Sequence, residues 1–215
     1  MDGELRHVTD VRSPRRGSRR REIHLDGDVW RATTVGVLRD LGVAPGDEID
    51  PDEVDSRARV LEAEEARSRA LRLIGYRERS EHGLLERLLE DGYPQDVAAA
   101  VVADLVQSGL VDNARYADLL ARSLIEIRGL GRARAARELT ARGVADELVA
   151  PALDAYAPAE QEAERARDAA GALARPSDTV ERLAGRLVRR GFASAPALAA
   201  ARAALPQDNP PDWSV

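Results

Sequence analysis

Apolar residues recur along most of this chain at helical spacing, three or four apart, and each run stops at a glycine. Leu84, Leu85 and Leu88 precede Gly92-Tyr93, and Leu139 precedes Gly143-Val144. Leu187 precedes Gly191-Phe192. The three glycines are 51 and 48 residues apart, and each has a Leu four positions upstream and an apolar residue behind it. An amphipathic helix closed by a glycine in the left-handed conformation produces this phrase. Three copies predict a tandem array of helical units that bury their cores within and between neighbours.

The apolar positions place the helices. Val60 to Tyr76 is expected as the first, with Leu61, Ala70, Leu73 and Ile74 inward. Glu81 to Asp91 is the second, and a third opens at Pro94, carries Val97, Val101, Val102 and Leu105, and ends at Gly109. Asp112 is placed to cap a helix bearing Tyr116, Leu119, Leu120, Leu124 and Ile127, which Gly129-Leu130-Gly131 breaks. Arg132 to Arg142 and Asp146 to Tyr156 complete that unit. A long helix ending near Arg175-Pro176 begins the third, Asp178 with Glu181 suggests a cap for the next, and Ala195 to Leu205 is a weak, alanine-rich last helix.

Upstream the period changes. Ile23 to Trp30 reads as a β-hairpin around Asp26-Gly27, with Ile23 opposite Trp30 and on the same face as Leu25. A short helix from Val35 to Leu41 stops at Gly42, and Ala44-Pro45-Gly46-Asp47 is a turn. The expected fold is therefore all-α, three three-helix repeats behind a small N-terminal β-hairpin element. Its expected segments are a disordered basic tail at 1–21 and a hairpin, short helix and acidic linker at 22–59. Repeats follow at 60–110, 111–157 and 158–205, and a C-terminal tail at 206–215.

Composition narrows the class. The 215 residues are 33% charged and 3% aromatic, and contain no cysteine, so disulfide and thiolate chemistry are excluded. The longest apolar run, Val97 to Ala103, is too short to span a bilayer, and no apolar signal core opens the chain, which suggests a cytoplasmic location. His7, His24 and His82 are scattered, so no metal is implied. The stretch from Gly129 to Arg134 lacks the third glycine of a dinucleotide loop and follows a helix, and no P-loop is present. No cofactor and no enzymatic activity are expected.

The net charge of −6 argues against a generally basic nucleic-acid binder. Yet all 32 basic residues are Arg, and they are segregated. Residues 1–21 hold seven Arg against three acids, 47–65 hold nine acids against two Arg, and 122–142 hold six Arg against two acids. The first segment reads as a solubilising extension, or alternatively as a nucleic-acid arm. Arginines also gather at helix boundaries: Arg77 and Arg79; Arg128, Arg132, Arg134, Arg137 and Arg142; Arg186, Arg189 and Arg190. Each could be a solvated helix face with acidic partners, as Arg134 with Glu138 would be. Their recurrence in corresponding places suggests a shared binding face.

These residues carry a family resemblance. Ala70-Leu71-Arg72-Leu73, Arg77-Glu78-Arg79-Ser80, Leu84 and the Leu88 to Tyr93 phrase resemble the first repeat of the RecX family. Gly109 to Ala117 resembles its junction into the second repeat, and Gly131 to Leu139 with Arg142-Gly143-Val144 its most characteristic stretch. The likeness covers about Glu62 to Tyr156. Three positions depart: Gly83 stands where the family has Glu, which removes a capping box with Ser80, Asn113 replaces a common Asp, and Ala135 a large aliphatic residue. The resemblance implies a non-enzymatic cytoplasmic regulator built of three-helix repeats. Such a protein binds the filament of the recombinase RecA on DNA and restrains ATP hydrolysis, strand exchange and repressor cleavage. The resemblance admits single- or double-stranded DNA as a further direct partner and implies no membrane. Two other readings remain open: a three-helix DNA-binding regulator whose fifth repeat helix reads a groove, and a helical scaffold for another protein.

Overall fold

A computed structural model describes residues 4–205. Two compact units divide it, Met1–Asp112 and Asn113–Val215.

The first unit opens with strands β1 (Arg6–Arg12), β2 (Arg20–Leu25) and β3 (Asp28–Thr34), helix α1 (Val35–Leu41) and strand β4 (Glu48–Ile49). They make an antiparallel sheet in the order β3-β2-β1-β4. The basic N-terminal segment, expected as a disordered tail, is therefore largely strand and ordered loop. Two irregularities hid this. A bulge between Val8 and Asp10 breaks the period-2 alternation of β1, and the extra residue, Thr9, donates its hydroxyl to the His24 carbonyl at 3.2 Å. A second bulge sets Ile23 opposite Arg31 rather than Trp30. The Asp26-Gly27 turn forms as expected, with φ of 50° and 97°.

Helix α2 (Pro51–Tyr76) starts nine residues before the expected Val60, so the acidic linker does not exist as such. Asp50 caps it, its carboxylate accepting from the Asp52 and Glu53 amides at 3.0 and 3.3 Å, and Pro51 occupies the first turn. The acids that look like a linker by composition suit the positive end of the helix dipole. The first half of α2 buries Val54 and Ala58 with Val37 and Leu41 of α1. The second half buries Ala66, Ala70 and Leu73 with α3 (Glu81–Asp91) and α4 (Gln95–Gln107) in the core of the first repeat. The Ser80 hydroxyl still accepts from the Gly83 amide at 3.1 Å, so half of the capping box survives the missing Glu.

Polar clips hold the sheet to this scaffold. Glu62 is fully buried and receives the Arg31 guanidinium at 2.7 Å and the Thr33 hydroxyl at 2.6 Å. Asp91, at the end of α3, gathers Arg69 at 2.7 Å, Arg87 at 3.1 Å and Arg19 at 2.5 Å. Arg20 lies over Gly92, where a Cβ would come within 2.8 Å of its Cγ.

The second unit holds two repeats with separate cores. In the first of these, α5 (Asn113–Arg122) widens into a π-turn at Ser123–Ile127, followed by α6 (Arg132–Thr140) and α7 (Asp146–Asp154). The extra residue in the turn shifts the helical phase. Leu124 and Ile125 are buried as a result, whereas Ile127, expected inside, is 80% exposed. In the last repeat, α8 (Glu162–Leu173), α9 (Val180–Arg189) and α10 (Ser194–Ala204) enclose Leu183, Leu187 and Phe192. The alanine-rich α10 packs Ala197, Ala200 and Ala201 on Ala166 and Ala170, small side chains that let helices approach closely. Thr179, not Asp178, caps α9, accepting from the Arg182 amide at 3.3 Å. The expected tail at 206–215 lies outside the described residues.

Candidate functional site

The densest arginine cluster lies where α6 meets the end of α9. Helix α6 has no side-chain cap. Its leading amides instead reach carbonyls at the end of the neighbouring helix: Gly131 donates to Arg190 at 2.8 Å and Ala133 to Gly191 at 3.2 Å. Unsatisfied donors at one helix start thus meet unsatisfied acceptors at another helix end, with the dipoles favourably aligned. The backbones touch. A Cβ on Gly131 would lie 2.2 Å from the Gly191 carbonyl carbon, and one on Gly191, at φ 97°, would lie 2.4 Å from the Arg134 amide nitrogen. Gly191 therefore ends a helix and makes room for another one.

Arginines lace this junction. Arg134 donates to the Arg189 carbonyl at 3.1 Å, rather than pairing with Glu138 as expected. Arg190 reaches back to the carbonyls of Arg128 at 3.0 Å and Gly129 at 3.4 Å. Arg165 donates to the Leu130 carbonyl at 2.8 Å and stands 5.8 Å from the Phe192 ring centroid. Burial holds the Arg165 guanidinium below its ordinary pKa, with Glu162 acting against the shift. Arg132 ties α6 to α7 through the Ala157 carbonyl at 2.8 Å and Asp154 at 2.7 Å. Within the last repeat Arg186 grips Asp178 with both terminal nitrogens and donates to the Leu173 carbonyl at 2.9 Å. That contact holds the Asp178 carboxyl below the usual carboxylate range.

The ten sequence candidates therefore divide. Arg132, Arg134, Arg186 and Arg190 hold the fold together. Arg128 and Arg142 share Glu138, at 3.7 and 3.4 Å. Arg79 is half-buried and engaged. Arg77, Arg137 and Arg189 are exposed, and their guanidinium groups have no ion partner among the described residues. The residue that sequence reasoning missed is Arg165, whose role depends on a distant phenylalanine; the arginines of residues 12–21 stood out by composition, but their ordered loop was masked by the bulge in β1. Arg165 had no local signal.

Among the described residues no His, Asp and Glu are grouped as a metal would require, and no helix is long and apolar enough to cross a membrane.

Comparison with known proteins agrees with this architecture. The first three-helix domain of RecX matches residues 66–105, and the second matches residues 112–153. Regulatory protein RecX of Mycolicibacterium vanbaalenii is 36% identical over 154 residues, spanning 66% of this chain and 83% of that protein. Its counterpart in Halorhodospira halophila is 36% identical over 149 residues, spanning 68% and 92%. A crystal structure of regulatory protein RecX shares the fold with a TM-score of 0.59 at 24% identity, over 89% of this chain and 97% of that one. The structure of RecX from Lactobacillus salivarius gives a TM-score of 0.56 at 16% identity, over 67% and 97%. Two matched domains in the right order, and relatives aligned over most of their length, make this chain a member of the RecX family of regulatory proteins.

Proposed function

We propose that this protein binds the RecA–DNA filament and restrains its ATP hydrolysis, strand exchange and coprotease activity, without catalysis of its own. It would act in the cytoplasm, in DNA repair, recombination and the SOS response. Family membership through both matched three-helix domains is the observation that carries this reading. Several separately cored repeats on one chain offer several contacts to a polymeric partner, and linked weak contacts reinforce one another through effective concentration. The arginines best suited to touch filament protein or phosphate are Arg77, Arg137 and Arg189, supported by Arg128 and Arg142. Arg132, Arg134, Arg186 and Arg190 position that surface. Arg79 stands with Arg77 beside α3. Groove reading by α6 is disfavoured, because the helix start that would approach base edges abuts α9.

The test is DNA-dependent ATP hydrolysis by the cognate recombinase, with this protein titrated in. Substoichiometric inhibition is expected. Unchanged hydrolysis over a wide concentration range, together with no filament binding, would replace this reading with that of a scaffold for another protein.

A further inference from the structure

The β1–β2 loop has no part in the reading above. Residues 12–21 hold six arginines and no acid, in a chain whose net charge is −6. Three of the six build the loop. Arg21 turns beneath it, its Nη1 donating toward Ser13 Oγ at 3.1 Å and the carbonyls of Ser18 and Arg20 at 3.1 and 2.9 Å. Arg20 donates to the Ala32 carbonyl at 3.0 Å, and Arg19 fastens the base to Asp91. The turn closes with the Ser18 amide donating to the Arg15 carbonyl at 3.1 Å, and the Ser13 hydroxyl to the same oxygen at 3.1 Å.

The other three arginines point outward. Arg15 and Arg16 are exposed and without an ion partner among the described residues, and Arg12 has only a loose contact with Asp10 at 3.7 Å. Next to Arg16 stands Gly17, at φ 80° with open space where a Cβ would be, so a bulky group could approach the backbone. The tip is thus fixed by its own hydrogen bonds while its charges remain unspent. Holding a charged loop in place beforehand lowers the entropy cost of binding.

We propose that this loop is a contact arm for the phosphate backbone of duplex DNA, with Arg15 and Arg16 on phosphates and Arg12 beside them. The chemistry selects among partners. Residues 12–21 have no aromatic side chain on which an unpaired base could stack, and, apart from Pro14, no aliphatic one to form the apolar centre of a protein interface. What the loop offers is forked, permanently charged donors, which gain most from a polyelectrolyte that releases counterions. Recognition would be independent of sequence. The proposal goes beyond the filament reading and does not depend on it.

The test measures fluorescence anisotropy of a labelled duplex oligonucleotide against the whole protein, over a range of salt and with no recombinase present. The R15A/R16A double variant is expected to bind on the order of tenfold more weakly at moderate salt, with a salt slope shallower by about two. Its melting midpoint should match the parent, because neither guanidinium is used in the fold. A control variant, R167A/R202A, removes two exposed charges from the last repeat and should bind as the parent does. Absence of duplex binding by the parent would overturn the proposal, and so would an unchanged slope in R15A/R16A. Labelled polyglutamate bound as tightly as the duplex, with the same dependence on Arg15 and Arg16, would mark an acidic-protein surface and overturn it as well. Failure here leaves the ATPase result untouched.

Discussion

The segments 12–21 and 122–142 each carry six arginines, and the fold uses them in opposite ways. In the second segment Arg132 and Arg134 end on backbone carbonyls, and Arg128, Arg142 and Arg122 meet acids. Arg137 alone of these six has no ion or hydrogen-bond partner for its side chain among the described residues. In the first segment Arg19, Arg20 and Arg21 anchor the loop, which leaves Arg15 and Arg16 presented on it. Arginine density therefore says little about where a surface binds. What decides is the acceptor each guanidinium already has.

The comparison can be broken most severely at the junction itself. Gly131→Ala places a methyl group 2.2 Å from the Gly191 carbonyl carbon, where only backbone movement can relieve it. The expected cost is about 3 kcal/mol, at the upper end of overpacking penalties. It would be read as a lower urea midpoint, and a midpoint matching the parent would mean that the junction is not as tight as described.

Next in size is the anchor of the first segment. Asp91→Ala leaves Arg19, Arg69 and Arg87 without the carboxylate they share. Removing a buried partner from such a cluster is expected to destabilise by about 2–3 kcal/mol. Amide exchange should also quicken in the β1–β2 loop, because Arg19 is released. Destabilisation with unaltered loop exchange would show that the loop holds its shape through Arg20, Arg21 and its own turn without the Arg19 anchor.

The glycine phrase was the legible part of this fold. Gly92, Gly143 and Gly191 all adopt positive φ, at 100°, 75° and 97°, because the need for a residue without Cβ is local and leaves a local mark. The turn at Asp26-Gly27 and the helix at Val35–Leu41 were legible for the same reason. What was hidden depended on one extra residue or on a distant partner. Thr9 breaks an alternation, the π-turn rotates Ile127 out of the core, and Asp50-Pro51 starts a helix inside an apparent linker. The inward use of Arg134 could not be read from its neighbours, since its acceptor is 55 residues away.

The smallest effect sharpens the comparison within one helix. Arg134→Ala should cost about 1.5 kcal/mol, the value of a charged hydrogen bond to a carbonyl. Arg137→Ala, three residues on and exposed, should alter stability by about 0.5 kcal/mol or less. Filament binding should respond in the reverse order once stability is matched by temperature. Equal denaturation midpoints for the two variants would remove the distinction between structural and presented arginines.

Helix α2 has a consequence of another kind. Its 26 residues, about 39 Å long at 1.5 Å per residue, belong to two cores at once. The end near Val54 closes the sheet and α1, and the end near Leu73 closes the first repeat. Neither core can dissolve without exposing a shared beam, so the sheet and the first repeat should melt as one cooperative block. A cut between residues 50 and 60 would therefore sever the sheet and α1 from the rest of α2 and weaken both cores together.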